Sequence, residues 1–202
     1  MPTIRSQILE TVRGAYPATL KGIDPSKTLG ESVFGNPTHP NAVLDLFVQQ
    51  NLTPMLPLAY YMAVRRGLDS LMDARLPASV RLPLDTLQVA VRGLIALREM
   101  ELKEIHRLVL GPKGSYPCSS LNCPSHKQVD PTVSEAHQKV VDQITNSSGS
   151  GTKILRVLSI SDVCGGGCYG FCQSCVERWE KGHAKLRKKA WAALPDVFGV
   201  KL

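Results

Sequence analysis

The sequence predicts an all-α chain, on two observations. Apolar residues recur at helical spacing in most of its stretches, and prolines and glycines punctuate those stretches. Six cysteines then fall in two clusters, Cys118 and Cys123 in the first and Cys164, Cys168, Cys172 and Cys175 in the second. Thiols grouped at short spacings far apart in sequence suit a tetrahedral metal site, because each short loop offers two ligands and folding joins the pairs. The expected architecture is an antiparallel helical layer over 1–110, followed by zinc-binding loops and a C-terminal helix over 111–202, the two forming one compact unit.

The first expected helix, Ile4 to Tyr16, places Ile4, Ile8, Leu9 and Val12 at helical spacing before Pro17. Gly22 to Asn41 is rich in Gly, Pro, Asn, Ser and Thr and predicts a long connection. A helix from Pro40 carries a stripe of Ala42, Val43, Leu46 and Phe47. Two prolines around Met55 and Leu56 predict a turn before a helix over Leu58 to Met72, with Leu58, Met62, Ala63, Leu68 and Leu71 inward and Arg65 and Arg66 solvated. Pro77 and Pro83 mark a connector. Leu84 to Leu108 is the strongest helical stretch, with Leu87, Val91, Leu94, Ile95 and Leu97 on its apolar side.

Beyond Gly111, Pro112 and Gly114 lies the polar loop Cys118-Ser-Ser-Leu-Asn-Cys123-Pro-Ser-His126. Pro131 to Ile144 suits a further helix, Asn146 to Thr152 has linker composition, and Ile154 to Ile160 suits a short strand or helical turn. The last helix begins near Cys172 and runs through Val176, Trp179, Leu186 and Trp191 to Leu194-Pro195, its two tryptophans expected on roughly one face. No internal repeat is visible.

Composition bounds the function. Hydrophobic content of 43% and charged content of 20% are ordinary globular values. Aromatics, at 5%, are too sparse for a platform that stacks bases on Phe, Tyr or Trp. The net charge of +7 would suit a polyanion, and Lys181 to Lys189 carries five cations without a carboxylate. Four zinc-bound thiolates lower that excess by two charges. A solvated helix face is the plainer account of the run, with nucleic-acid binding a third functional reading. No secretory leader or membrane span is evident, so the sequons at Asn51 and Asn146 carry little weight. The expected setting is a reducing one, cytoplasm or nucleus, where clustered thiols hold metal or do redox chemistry.

Cys172-Gln-Ser-Cys175 is the sharpest pair. A Cys-x-x-Cys turn at a helix start lets both sulfurs face one metal, and the helix N-terminus favours thiolate charge. Cys118 and Cys123 supply the second pair, with Cys164, Cys168 and His126 as alternates and His183 in reserve; an isolated histidine is more often a surface side chain. The triple glycine between Cys164 and Cys168 permits close approach to a metal but equally makes a plain loop.

Cys168-x3-Cys172-x2-Cys175 also matches a radical-SAM cluster motif, yet only 27 residues follow Cys175, too few for the strand and helix barrel that chemistry needs. A thioredoxin-like pair would need a surrounding strand-helix-strand pattern. No nucleophile elbow, phosphate loop, zincin motif or dinucleotide fingerprint is present. Glu101, Glu104 and His106 are expected on a solvated helix face. No catalytic residue emerges, and the balance leans away from an enzyme.

Ala42 to Tyr61 (AVLDLFVQQNLTPMLPLAYY), the long helical middle, the Cys118 and Cys123 loop, Cys172-x-x-Cys175 and the ending Trp191-Ala-Ala-Leu-Pro-Asp-Val-Phe-Gly199 together resemble the C-terminal region of fungal BTB/POZ-domain proteins, mostly from mushroom-forming basidiomycetes. The resemblance implies an all-helical region following a BTB fold, with Cys118, Cys123, Cys172 and Cys175 as its paired thiols. Of the BTB fold itself, at most the last helix corresponds to Ile4 to Tyr16, and Cys164 and Cys168 are additions to the shared pattern. The resulting expectation is a non-enzymatic, zinc-stabilised module that binds a protein partner away from any membrane. The alternative is a small zinc metalloenzyme using the Cys/Gly-rich segment.

Overall fold

A computed structural model describes Glu10, residues 39–65 and 67–110, Thr152, Ile154, Leu155 and residues 173–202, with the backbone alone at 105, 106, 108–110 and 175. Every element among them is helical: α1 (Pro40–Gln49), α2 (Leu56–Val64), α3 (Leu68–Leu71), α4 (Leu84–Leu110) and α5 (Gln173–Val197), with 3-10 turns at Thr53–Met55 and Ala78–Val80. None of these helices is long and apolar enough to cross a membrane. The expected N-terminal helix lies outside the described residues except for Glu10, which is helical, as do the expected helix from Pro131 and most of the segment from Ile154.

Residues divide into two compact units. The first comprises Met1–Leu97, Ser150–Thr152 and Trp191–Leu202, the second Arg98–Gly149 and Lys153–Ala190.

In the first unit, α1 starts after His39, which is extended and whose Nδ1 accepts the Asn41 amide at 3.3 Å, while Pro40 occupies a first-turn position that needs no donor. The helix ends at Asn51, whose φ of 52° is left-handed. There the amide of Leu52 donates to Phe47 O at 2.9 Å and that of Asn51 to Val48 O at 3.1 Å, the paired bonds of a Schellman motif. Asn51 thus has a backbone role that its sequon did not suggest.

The buried face of α1 is Asn41, Val43, Leu44 and Phe47, and Leu46 is exposed. The expected stripe was displaced: Val43, Leu44 and Phe47 keep the three-and-four spacing of one face, whereas Leu46 points off it.

α2 departs further from expectation. It is buried on every side from Pro57 to Val64, so it has no stripe. It packs against α1, and the helix expected to continue to Met72 stops after Val64, whose carbonyl accepts from the amide of Gly67 at 2.9 Å; the φ of 93° at Gly67 suits glycine. α3 restarts immediately after and seats Leu71 in the core. Buried Asn41 Nδ2 donates to Leu71 O at 3.3 Å, tying the start of α1 to the end of α3.

α4 begins after Pro83, with Asp85 in its first turn where a carboxylate suits the helix dipole. It buries Thr86, Ala90, Gly93, Leu94, Leu97 and Glu101, a line stepping by three and four. The expected apolar side mixed two faces. Leu94 and Leu97 are inside, Leu87 and Val91 are half-buried, and Ile95 is exposed.

Gly93 explains itself by what lies against it. A Cβ there would overlap the Phe198 ring, so a residue that costs about 1 kcal/mol relative to alanine in a helix interior is required by packing. Phe198 also stacks on Tyr60, with ring centroids 5.0 Å apart and planes at 14°. The chain end delivers this ring through a second Schellman motif: Val200 N donates to Pro195 O at 2.8 Å and Gly199 N to Asp196 O at 3.1 Å, with Gly199 at φ 63°. The Leu-Pro-x-x-Phe-Gly ending is therefore a helix stop that places an aromatic plug.

In α5 the buried line is Trp179, His183, Leu186, Ala190 and Leu194. Trp191 is only half-buried, because twelve residues rotate a helix about 120° away from a shared face.

Candidate functional site

Cys118, Cys123, Cys164, Cys168, Cys172 and His126 lie outside the described residues. Cys175 is in the first turn of α5, three residues from Gln173 at its start counting both, and Cys172 immediately precedes that helix in sequence. Unpaired amides at a helix start and the positive end of its dipole lower the cost of thiolate charge in that turn. Among the described residues no three His, Cys, Asp or Glu side chains gather as a group able to hold a metal.

In the second unit, α5 from Gln173 to Ala190 is described together with residues 98–110 of α4, Ile154 and Leu155. Ile154 and Leu155 are buried in a turn, and Arg187 Nε donates to Leu155 O at 2.9 Å, 32 residues away in sequence. This bond gives the short apolar turn a fixed address on the helix. Arg187, grouped with the solvated cations on sequence grounds, is half-buried here, whereas Lys181, Lys185 and Lys188 are exposed as expected.

His183 corrects the expectation of a surface side chain. It is 3% exposed, and its ring lies nearly parallel to that of Trp179, with centroids 5.7 Å apart. Burial pushes its imidazole down to about 4, and the Arg187 guanidinium one turn later adds to the effect. The sequence signal was its position: residues 179, 183, 186 and 190 keep one helical line, on which a histidine is inside. Eight residues beyond Cys175, His183 stands about 12 Å further along the axis, too far for both to bind one ion with bonds of about 2.0–2.3 Å. It fits a core histidine.

The carboxylates of α4 correct a second expectation. Glu101 is 2% exposed and accepts from Arg98 Nη1 at 3.2 Å. Glu104 accepts from Arg107 Nε and from Lys189 Nζ, each at 2.8 Å. Those two hydrogen bonds, Lys189 first, hold its carboxyl below the usual range. Neither group faces freely into solvent, because each sits where a cation from its own helix, or from α5, can reach it. The Lys189 contact links residues 85 apart in sequence, which helical spacing alone could not reveal.

The Arg187 bond to Leu155 O and the Lys189 bond to Glu104 each join segments distant in sequence. Compared with known proteins, the chain matches no family model, no curated protein and no solved structure.

Proposed function

We propose that the chain is a zinc-stabilised helical module that binds a protein partner and performs no catalysis. Cys118, Cys123, Cys172 and Cys175 close a four-thiolate site, with Cys164, Cys168 and His126 as the alternates. The observation that carries this reading is the start of α5 at Gln173, which puts Cys175 in the first turn of a helix that Cys172 immediately precedes in sequence.

On this reading the chain corresponds to the helical region following a BTB fold and works in a reducing compartment, where thiolates stay available to metal.

Metal analysis of purified chain, followed by thermal melting with and without chelator, tests the proposal. It predicts about one zinc ion per chain and a lowered melt on chelation or in Cys172→Ser with Cys175→Ser. Protein free of zinc, with a melt indifferent to chelator, overturns it. Cobalt exchange separates a closed thiolate site from the open, water-bearing site of the metalloenzyme alternative.

A further inference from the structure

We infer that the first half of α4 carries a self-complementary seam by which two copies of this chain pair antiparallel about a two-fold axis. Leu84 is 68% exposed and Ile95 51% exposed, large fractions for residues of their kind on an ordered helix. Between them lie Gln88, exposed, and Val91, half-buried. The four positions step by four, three and four, the spacing of a coiled-coil seam, and they lie off the line through Thr86, Ala90, Gly93 and Leu97 that faces the core.

The charges beside this seam identify its occupant. Asp85 and Arg92 are exposed, seven residues apart on the same flank, and neither is ion-paired among the described residues. A two-fold axis crossing α4 near Val89 sets Leu84 opposite the second copy's Ile95, and Gln88 opposite its Val91. The same axis brings Asp85 to the second copy's Arg92, and Arg92 to its Asp85. One rotation thus covers both large apolar side chains and pairs both charges, as an isologous contact must. Gln88 lowers affinity at the seam but opposes slipped registers. Three turns of helix bury less area than a standard interface, so the expected dimer is weak and concentration-dependent.

The seam lies within residues 84–95 and does not depend on the zinc proposal. The test is sedimentation equilibrium of the full chain over a wide concentration range. Wild type should dimerise, and Ile95→Glu, Asp85→Arg or Arg92→Asp alone should weaken the dimer tenfold or more. An equimolar mixture of D85R and R92D chains should dimerise again, since each then meets the opposite charge twice. The double variant D85R/R92D should likewise self-associate. Rescue by mixing cannot arise from repairing the first turn of α4, where Asp85 also serves the dipole. Monomeric wild type at the highest concentration, a dimer insensitive to these changes, or a mixture that stays monomeric would each overturn the inference.

Discussion

The described residues of the two units bury different kinds of group. In the first, Leu44, Phe47, Pro57 to Val64 of α2, Leu94 and Phe198 are buried, and the polar side chains buried with them, those of Asn41, Thr86, Thr152 and the two tyrosines of α2, are uncharged. Among the described residues of the second, a histidine and a carboxylate are buried with Ile154, Leu155, Trp179, Leu186 and Ala190, and Arg187 and Lys189 bond to Leu155 O and to Glu104. Apolar burial is worth about 1.5–3 kcal/mol per large side chain and is nearly indifferent to pH and salt. Hydrogen-bonded charges contribute less each and depend on both. The first unit should therefore answer to changes of shape, and the second to changes of solution.

The largest effect should come from the aromatic plug. Phe198→Ala removes a buried ring from between Tyr60 and Gly93 and should cost about 3–5 kcal/mol in urea unfolding. Gly93→Ala should also destabilise, despite alanine's better helix propensity, because its methyl overlaps that ring. In the Phe198→Ala background the same change should become neutral or stabilising. Additive effects in that double-mutant cycle would show that the two positions are not coupled.

Acid is the next probe. The folded pKa of His183 is about 4, below its ordinary 6.5, so the unfolded chain takes up the proton first. Its contribution is complete above pH 6.5 and is lost as the pH falls toward 4, a loss of at most about 3 kcal/mol. Glu104, also lowered, acts in the same direction at lower pH: its stabilisation is present above the ordinary carboxylate value of 4.5 and is lost as the pH falls through the folded value. Stability measured from pH 7 to 4 should fall in wild type and fall less in His183→Gln. Identical profiles would remove His183 from the account.

Much of the helical order is legible in the sequence because helices are local. Pro40, Pro83 and the stretch to Leu194-Pro195 mark boundaries through proline geometry and apolar spacing, and α1, α4 and α5 stand close to where those signals place them. The errors arose where tertiary packing decides. A residue such as Ile95 has the same propensity on either side of α4, and only the neighbouring elements select the inward line. Gly67 could have been read as a break, since a left-handed residue ends a helix, but a glycine inside an apolar run is ambiguous. Glu101 and His183 were misread for a related reason: polarity predicts exposure unless a partner is supplied, and Arg98 and Trp179 become visible as neighbours only once the helical turn is followed. Of the candidate metal site, only the helix start beside Cys175 falls among the described residues.

Smaller changes sharpen the contrast between units. Asn41→Ala leaves Leu71 O without its amide donor and should cost about 1–3 kcal/mol, with little dependence on salt. Lys189→Ala should cost a few tenths to about 1 kcal/mol, and that cost should shrink in high salt. If the salt dependences were reversed, the division of forces between the units would be wrong.

The most direct measurement is site-resolved hydrogen exchange of the metal-loaded full chain at pH 7, before and after chelation. Removing zinc should speed exchange at least tenfold through residues 176–190 of α5, while residues 43–49, 58–64 and 90–97 keep their protection. Unchanged exchange in 176–190, or equal loss in both units, would contradict a second unit pinned by metal beside a first that holds itself together by packing.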